Sequence, residues 1–282
     1  MTKHTHRKNS RGKIASSWLS GKHILVTGAS SGIGKELSER LIGVSRKLTL
    51  IARDEDGKLD ELKKNLSRFQ KKLRSGLRTE IETHSLDVCE KHKVVDLIRQ
   101  IYDKDKDQVD AFINCAGGSH IYGTFETMSH EDIEQIFDTN AKAPIFWLRE
   151  LLPRMKTNAV KPSDRKRGHV IMLSSRSGER TLPKLSVYTA AKGSVEKLVE
   201  AMQKEYAQHR IVFTLVNPGS INTAFTAEWS KEARDAHNQE SMTVTEAISP
   251  ILEALNSQFA INRISYESVQ QWLNEPGVLI DR

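Results

Sequence analysis

Short apolar runs alternate with longer amphipathic segments along most of this chain, the pattern of a parallel sheet covered by helices on both faces. His23–Thr27 reads as a first buried strand, and Ile33, Leu37 and Leu41 mark the helix that follows. Leu48–Ala52 reads as a second strand. Leu59, Leu62, Leu66, Phe69 and Leu73 then form one stripe of a Lys-rich helix whose other face is solvated. Thr79–Asp87, Val109–Asn114, His169–Ser174 and Ile211–Val216 read as further strands, and Val94–Tyr102 as a helix. Ser129 opens another helix, because its hydroxyl can accept from the first turn while Glu131 and Asp132 suit the positive end. Ala143–Met155 reads as a second helix, Tyr188–Gln208 as a long one and Ala247–Phe259 as the last, with Ile264–Tyr266 as a final strand. Ser220–Thr243 is polar and lacks strong periodicity, so it reads as irregular. The expectation is one doubly wound α/β domain over residues 21–282, a parallel sheet between two helix layers, after a disordered basic tail over residues 1–20.

With 282 residues, 38% of them hydrophobic and 28% charged, the chain is long enough for one sizeable core. No apolar stretch approaches the roughly 18 residues that span a bilayer, so no integral membrane contact is expected. The net charge of +7 is unevenly placed. Residues 1–22 hold Lys3, Arg7, Lys8, Arg11, Lys13 and Lys22 and no acid, which leaves 37 of the 43 basic residues against 36 acidic ones. Such a tail reads as a solvated extension of a cytoplasmic protein. Organelle targeting stays open, since Ile14, Ala15, Trp18 and Leu19 make a short apolar stripe. A basic tail alone is weak evidence for nucleic acid, and none is expected as a partner. Cys89 and Cys115 read as free thiols, and the ten histidines include no HExxH, so no metal is expected.

The first strand runs into Thr27-Gly28-Ala29-Ser30-Ser31-Gly32-Ile33-Gly34 and then a helical pattern. Glycines there let the backbone turn sharply and approach a pyrophosphate, while N–H groups at a helix start attract anions. This segment resembles the signature of the short-chain dehydrogenase/reductase family, and later motifs match in order and spacing over roughly residues 20–225. The resemblance implies a Rossmann-type domain and an oxidoreductase that transfers a hydride between a nicotinamide cofactor and a carbonyl or secondary alcohol. It places Gly28, Ser30, Ser31, Gly32, Ile33 and Gly34 against the dinucleotide. At the end of the second strand an acid would bind the ribose hydroxyl of NAD and an arginine the phosphate of NADP. Arg53 and Asp54 are both present, but the small Ala52 ends the run and Arg53 follows it as in NADP-type relatives, which favours NADP(H). Asp87 and Val88 resemble the adenine contact; the ordinary alternative is a strand-ending aspartate. Asn114-Cys115-Ala116-Gly117 resembles the family's Asn-Asn-Ala-Gly element with its second Asn replaced by Cys115, and it adds Asn114, Ala116 and Gly117 to the cofactor set.

Hydride transfer to a carbonyl leaves negative charge on oxygen, so a proton donor and a polarising hydrogen bond are needed. Tyr188 and Lys192 stand four residues apart and share one helix face. A nearby ammonium lowers a phenol's pKa towards usefulness. The resemblance adds Ser175, 13 residues before Tyr188, to polarise the substrate oxygen, in preference to the adjacent Ser174. It also adds Asn140 for a proton relay through Lys192. Pro218, Gly219, Ile221 and Thr223 resemble the segment along the nicotinamide.

Gly117–Gly123, Arg176–Leu185 and Ser220–Thr243 should shape the substrate pocket. They hold Tyr122, Phe225 and Trp229 but also Arg176, Glu179 and Arg180, so an apolar and an anion-binding pocket both stay open. A homodimer or homotetramer is implied by the resemblance alone, through the helices of Ser129–Met155. The rival readings are a catalytically silent NADP(H)-binding regulatory protein and a nucleic-acid-binding protein that uses the tail. A serine hydrolase is disfavoured, because no G-x-S-x-G elbow follows any strand.

Overall fold

Seven strands lie side by side in a parallel sheet, in the order β3-β2-β1-β4-β5-β6-β7. They are β1 (His23–Thr27), β2 (Lys47–Ala52), β3 (Glu80–Ser85), β4 (Ala111–Asn114), β5 (Gly168–Leu173), β6 (Ile211–Pro218) and β7 (Arg263–Tyr266). The computed structural model describes residues 18–271 apart from positions 55, 74–76, 228 and 269–270. The helices are α1 (Gly32–Leu41), α2 (Lys58–Lys72), α3 (Lys91–Arg99), α4 (His130–Phe137), α5 (Ala143–Met155), α6 (Arg176–Glu179), α7 (Ser186–Tyr206), α8 (Lys231–Gln239) and α9 (Val244–Asn256).

Central strands buried on both faces explain the apolar runs, since alternate residues feed two cores. Leu25, Phe112, Val170 and Met172 pack with Leu97, Trp147, Leu151 and Val195 of α3, α5 and α7. Ile24, Val26, Ile113 and Ile171 pack on the opposite face with Leu37, Leu41, Leu59, Leu66 and Ile251 of α1, α2 and α9. The amphipathic stripe of α2 is placed as expected, with Leu59, Leu62 and Leu66 buried.

The structure departs from the periodicity in three places. The helices expected from Ser129 and over Ala143–Met155 are joined by a π-helical turn, Asp138–Lys142. Ser129 caps α4 in a box with Asp132, as anticipated. The segment read as irregular contains α8, capped by Ser230; its charged face hides the period, because few of its residues reach a core. The end of the expected tail is part of the body: Trp18 and Leu19 are buried, and Lys22 pairs with Asp164 at 2.8 Å and Asp110 at 3.4 Å. Trp18 lies under the Lys166 ammonium, 4.0 Å from its ring centroid. Residues 1–17, which hold the rest of the tail, lie outside the described residues. No helix among the described residues is long and apolar enough to cross a membrane.

The centre of the larger core is Trp147, fully buried and stacked on Phe112 with ring centroids 5.6 Å apart. Trp147→Ala should lower unfolding free energy by about 3–5 kcal/mol, read from urea denaturation midpoints.

Candidate active site

β1 is flanked by β2 on one side and β4 on the other, so the strand order reverses beside it and a crevice opens at the carboxyl ends. A cleft of about 1050 Å³ occupies that crevice. Eighteen of the sequence-predicted residues line it. These are Gly28, Ser30, Ser31, Gly32, Ile33, Gly34, Arg53, Asp87, Val88, Ala116, Gly117, Ser175, Tyr188, Lys192, Pro218, Gly219, Ile221 and Thr223. Asn114 and Asn140 are buried directly behind its wall.

The strand-to-helix turn is built at backbone level. Gly28 adopts φ +66° and a Cβ there would sit 2.8 Å from the Ala116 nitrogen. A Cβ on Gly34 would collide with the Gly28 carbonyl oxygen. α1 carries no acid in its first turn, so its positive end is left for a ligand anion. The residues fit a dinucleotide: a glycine turn without side chains, a helix N-terminus and basic side chains at one end. At that end the two candidates of the second strand separate. Asp54 accepts the Leu59 N–H at 2.8 Å and is spent on the start of α2. Arg53 is exposed at the cleft and, among the described residues, has no hydrogen bond or ion pair. Lys58 lines the same end, a second basic group that sequence pattern did not single out. Asp87 is partly engaged, with one carboxylate oxygen accepting the Cys89 N–H at 2.9 Å.

At the other end, α7 carries Tyr188 and Lys192 on its buried face. Lys192 Nζ donates to the Leu173 carbonyl at 3.0 Å and lies 5.7 Å from the Tyr188 ring centroid. Burial lowers its pKa to about 8, against the opposite pull of Cys115 and Glu196. Burial also pushes the Tyr188 phenol well above its usual range, and its hydrogen bond with Ser175 pulls it back. Ser175 accepts the Ser177 N–H at 3.1 Å and caps α6. Its neighbour Ser174 bonds to Glu196 on α7 at 3.1 Å, so the adjacent serines serve different partners, as strand alternation implies. Asn140 sits on the π-helical turn, where the added residue turns it inward. It donates to the Gly118 carbonyl at 2.7 Å and to the Ile136 carbonyl at 2.9 Å, and accepts the Gly118 N–H at 2.9 Å. A Cβ on Gly117 would lie 2.8 Å from the Asn140 oxygen and 3.0 Å from Lys192 Nζ, so this loop is packed onto both.

Beyond Tyr188 the lining is aromatic. Phe225 lies 5.5 Å from Tyr188 and 5.3 Å from Trp229, and Trp229 stacks on Tyr122 at 4.6 Å. The charges that kept an anion pocket open are neutralised. Arg176 pairs with Glu179 and Glu267, and Arg180 pairs with Glu267. Desolvation pushes the Cys89 thiol up to about 11 and Cys115 to about 12, so neither is poised as a thiolate. Among the described residues no cluster of His, Cys, Asp and Glu could hold a metal ion.

The model of the short chain dehydrogenase family matches residues 22–234. The chain belongs to that family. It is similar to an uncharacterised oxidoreductase of Staphylococcus saprophyticus, 28% identical over 77% of this chain and 85% of the relative. It is also similar to the 3-ketodihydrosphingosine reductase of Dictyostelium discoideum, 31% identical over 73% of this chain. This short-chain dehydrogenase spans 61% of that relative's length. Among solved structures, the closed form of a serine dehydrogenase complexed with NADP+ has a TM-score of 0.75 at 23% identity, covering 92% of this chain and 99% of the other. An NADH-dependent reductase of alginate metabolism has a TM-score of 0.71 at 19% identity, covering 89% and 98%. At such identities these likenesses concern the fold.

Gly34→Ala should raise the dissociation constant for nicotinamide nucleotide by about tenfold or more, measured by fluorescence titration, because its methyl group forces α1 off the turn. Lys192 supplies a pH signature. Its folded pKa lies below the unfolded value, so the folded state carries fewer protons between about 8 and the ordinary lysine value of 10.5. The cost of burying the ammonium is fully present below pH 8 and fades as pH rises through that window. Urea midpoints of wild type and Lys192→Met, compared at neutral and alkaline pH, should shift in favour of wild type as pH increases.

Proposed function

We propose that this short-chain dehydrogenase is an NADP(H)-dependent oxidoreductase acting on a carbonyl or secondary-alcohol substrate. The observation that carries the reading is the convergence of Ser175, Tyr188 and Lys192 at one end of a nucleotide-shaped cleft. NADP(H), when bound, supplies or receives the hydride. Ser175 holds and polarises the substrate oxygen. Tyr188 delivers a proton to that oxygen in reduction and removes it in oxidation. The Lys192 ammonium beside the phenol favours the phenolate and so offsets part of the penalty of burial. Asn140 fixes the Gly117–Gly118 wall against Lys192 and takes part in the relay that returns the proton from solvent.

Arg53 supports NADP(H) over NAD(H). With Asp54 occupied at the start of α2, the open group at the ribose end is a guanidinium fork suited to a phosphate. The aromatic lining and the neutralised arginines support a substrate with an apolar body, and the names of the ketodihydrosphingosine reductases make a long-chain ketone one candidate. A homodimer or homotetramer belongs to the same reading, as does a cytoplasmic location.

The test is NADPH oxidation across a panel of ketones and aldehydes. Tyr188→Phe should lower kcat/KM by at least about a hundredfold. Nucleotide binding without Tyr188-dependent turnover would leave a silent binding protein instead. Arg53→Ala should cut the preference for NADPH over NADH by about tenfold or more, since a charge-assisted bond contributes about 1.5–3 kcal/mol. Reduction should fall above about pH 8 as Lys192 loses its charge.

A further inference from the structure

The mechanism leaves several titratable groups of the cleft unused, and one of them lies in its aromatic wall. His237, on α8, lines the cleft within the aromatic cluster. Its ring is 5.5 Å from Trp229 and 6.2 Å from Phe225. Phe225 also touches Tyr188, so one aromatic ring separates the imidazole from the proposed proton donor. Nε2 of His237 is buried and has no hydrogen-bond partner among the described residues. The Ile221 backbone lies beside the imidazole and, with Glu240, opposes the effect of burial on its protonation. Burial lowers the pKa, so the ring is neutral near pH 7. A neutral imidazole keeps a lone pair on one ring nitrogen, and Nε2 is the nitrogen left without a partner among the described residues.

A buried acceptor without a donor is costly to keep. A phenylalanine would fill the same aromatic space without that cost. The group that would repay it is a hydroxyl brought in by a ligand.

Resting on the oxidoreductase reading, we infer that His237 is a specificity-determining residue whose Nε2 accepts a hydrogen bond from a hydroxyl of the substrate. The substrate class is then a hydroxy ketone, or its reduced diol, with an apolar remainder against Phe225 and Trp229. A site built to pair a substrate hydroxyl discriminates against the analogue that lacks it, because the buried partner is left unpaired.

The test compares methyl nonyl ketone with hydroxymethyl nonyl ketone. Dissociation constants are read from tryptophan fluorescence with NADP+ present, so no turnover intervenes, and kcat/KM is read with NADPH. Wild type should favour the hydroxylated ketone by about tenfold or more in both readouts. His237→Phe should abolish that ratio, and His237→Gln, which restores an acceptor oxygen, should recover part of it. The change should lie in KM and the dissociation constant rather than in kcat. Because each ratio is measured within one variant, partial misfolding cancels. An absent preference in wild type, or an unchanged ratio in His237→Phe, overturns the assignment. A preserved ratio of dissociation constants without Tyr188-dependent NADPH oxidation upholds His237 and removes the reductase reading instead.

Discussion

Everything at the cleft depends on the parallel pairing of two strands remote in sequence, β1 and β4. Thr27 lies opposite Asn114 in that register, and its hydroxyl donates to the Asn114 side chain at 3.0 Å while accepting the Ala116 N–H at 3.3 Å. Both side chains are buried, so the pair satisfies polar groups that would otherwise be costly. The chain runs outward from β1 to β3 and returns to β4 on the other side. The loops after β1 and β4 therefore diverge to opposite sides and leave the crevice between them. Gly28 is the point of closest approach, which is why no side chain is tolerated there.

The catalytic end is held by buried polar groups that cost stability unless they are paired. Glu196 of α7 accepts from Ser174 at 3.1 Å and Asn217 at 2.9 Å through one oxygen and from Arg263 at 3.0 Å through the other. This carboxylate ties α7 to β5, β6 and β7, one turn along from Lys192. Its effect is to set the position of the helix that carries Tyr188. Lys192 itself donates to a carbonyl and, among the described residues, pairs with no carboxylate, and burial holds its pKa below the ordinary lysine value. The site thus trades stability for charged groups in a dry environment, where they act most strongly.

Burial decides which elements the sequence pattern reveals. Strands were legible because two-sided burial writes continuous apolar runs, and β1, β2 and β6 lie within a residue or two of their expected bounds. Helices were legible where one face meets a core. α8 was not, because its residues are mostly solvated and its one functional side chain, His237, looks like any polar residue in the sequence. The π-helical turn was invisible too: a single added residue leaves the hydrophobic period almost intact while rotating Asn140 inward. Trp18 and Leu19 show in the sequence only as a short apolar stripe; their burial, with Trp18 beneath the Lys22 and Lys166 ammonium groups, depends on segments distant in the chain.

By itself the sequence determined the alternation of elements, the glycine turn at the end of β1 and the shared face of Tyr188 and Lys192. These are local properties: helical and extended periods, left-handed backbone and four-residue spacing are set by residues near one another in the chain. Tertiary structure alone decided which of Arg53 and Asp54 faces the cleft, that Arg176 and Arg180 are neutralised by Glu179 and Glu267, and that His237 joins the aromatic wall. Each of those outcomes is a competition for partners among segments distant in sequence, and the winner is chosen only when the sheet brings them within hydrogen-bonding reach.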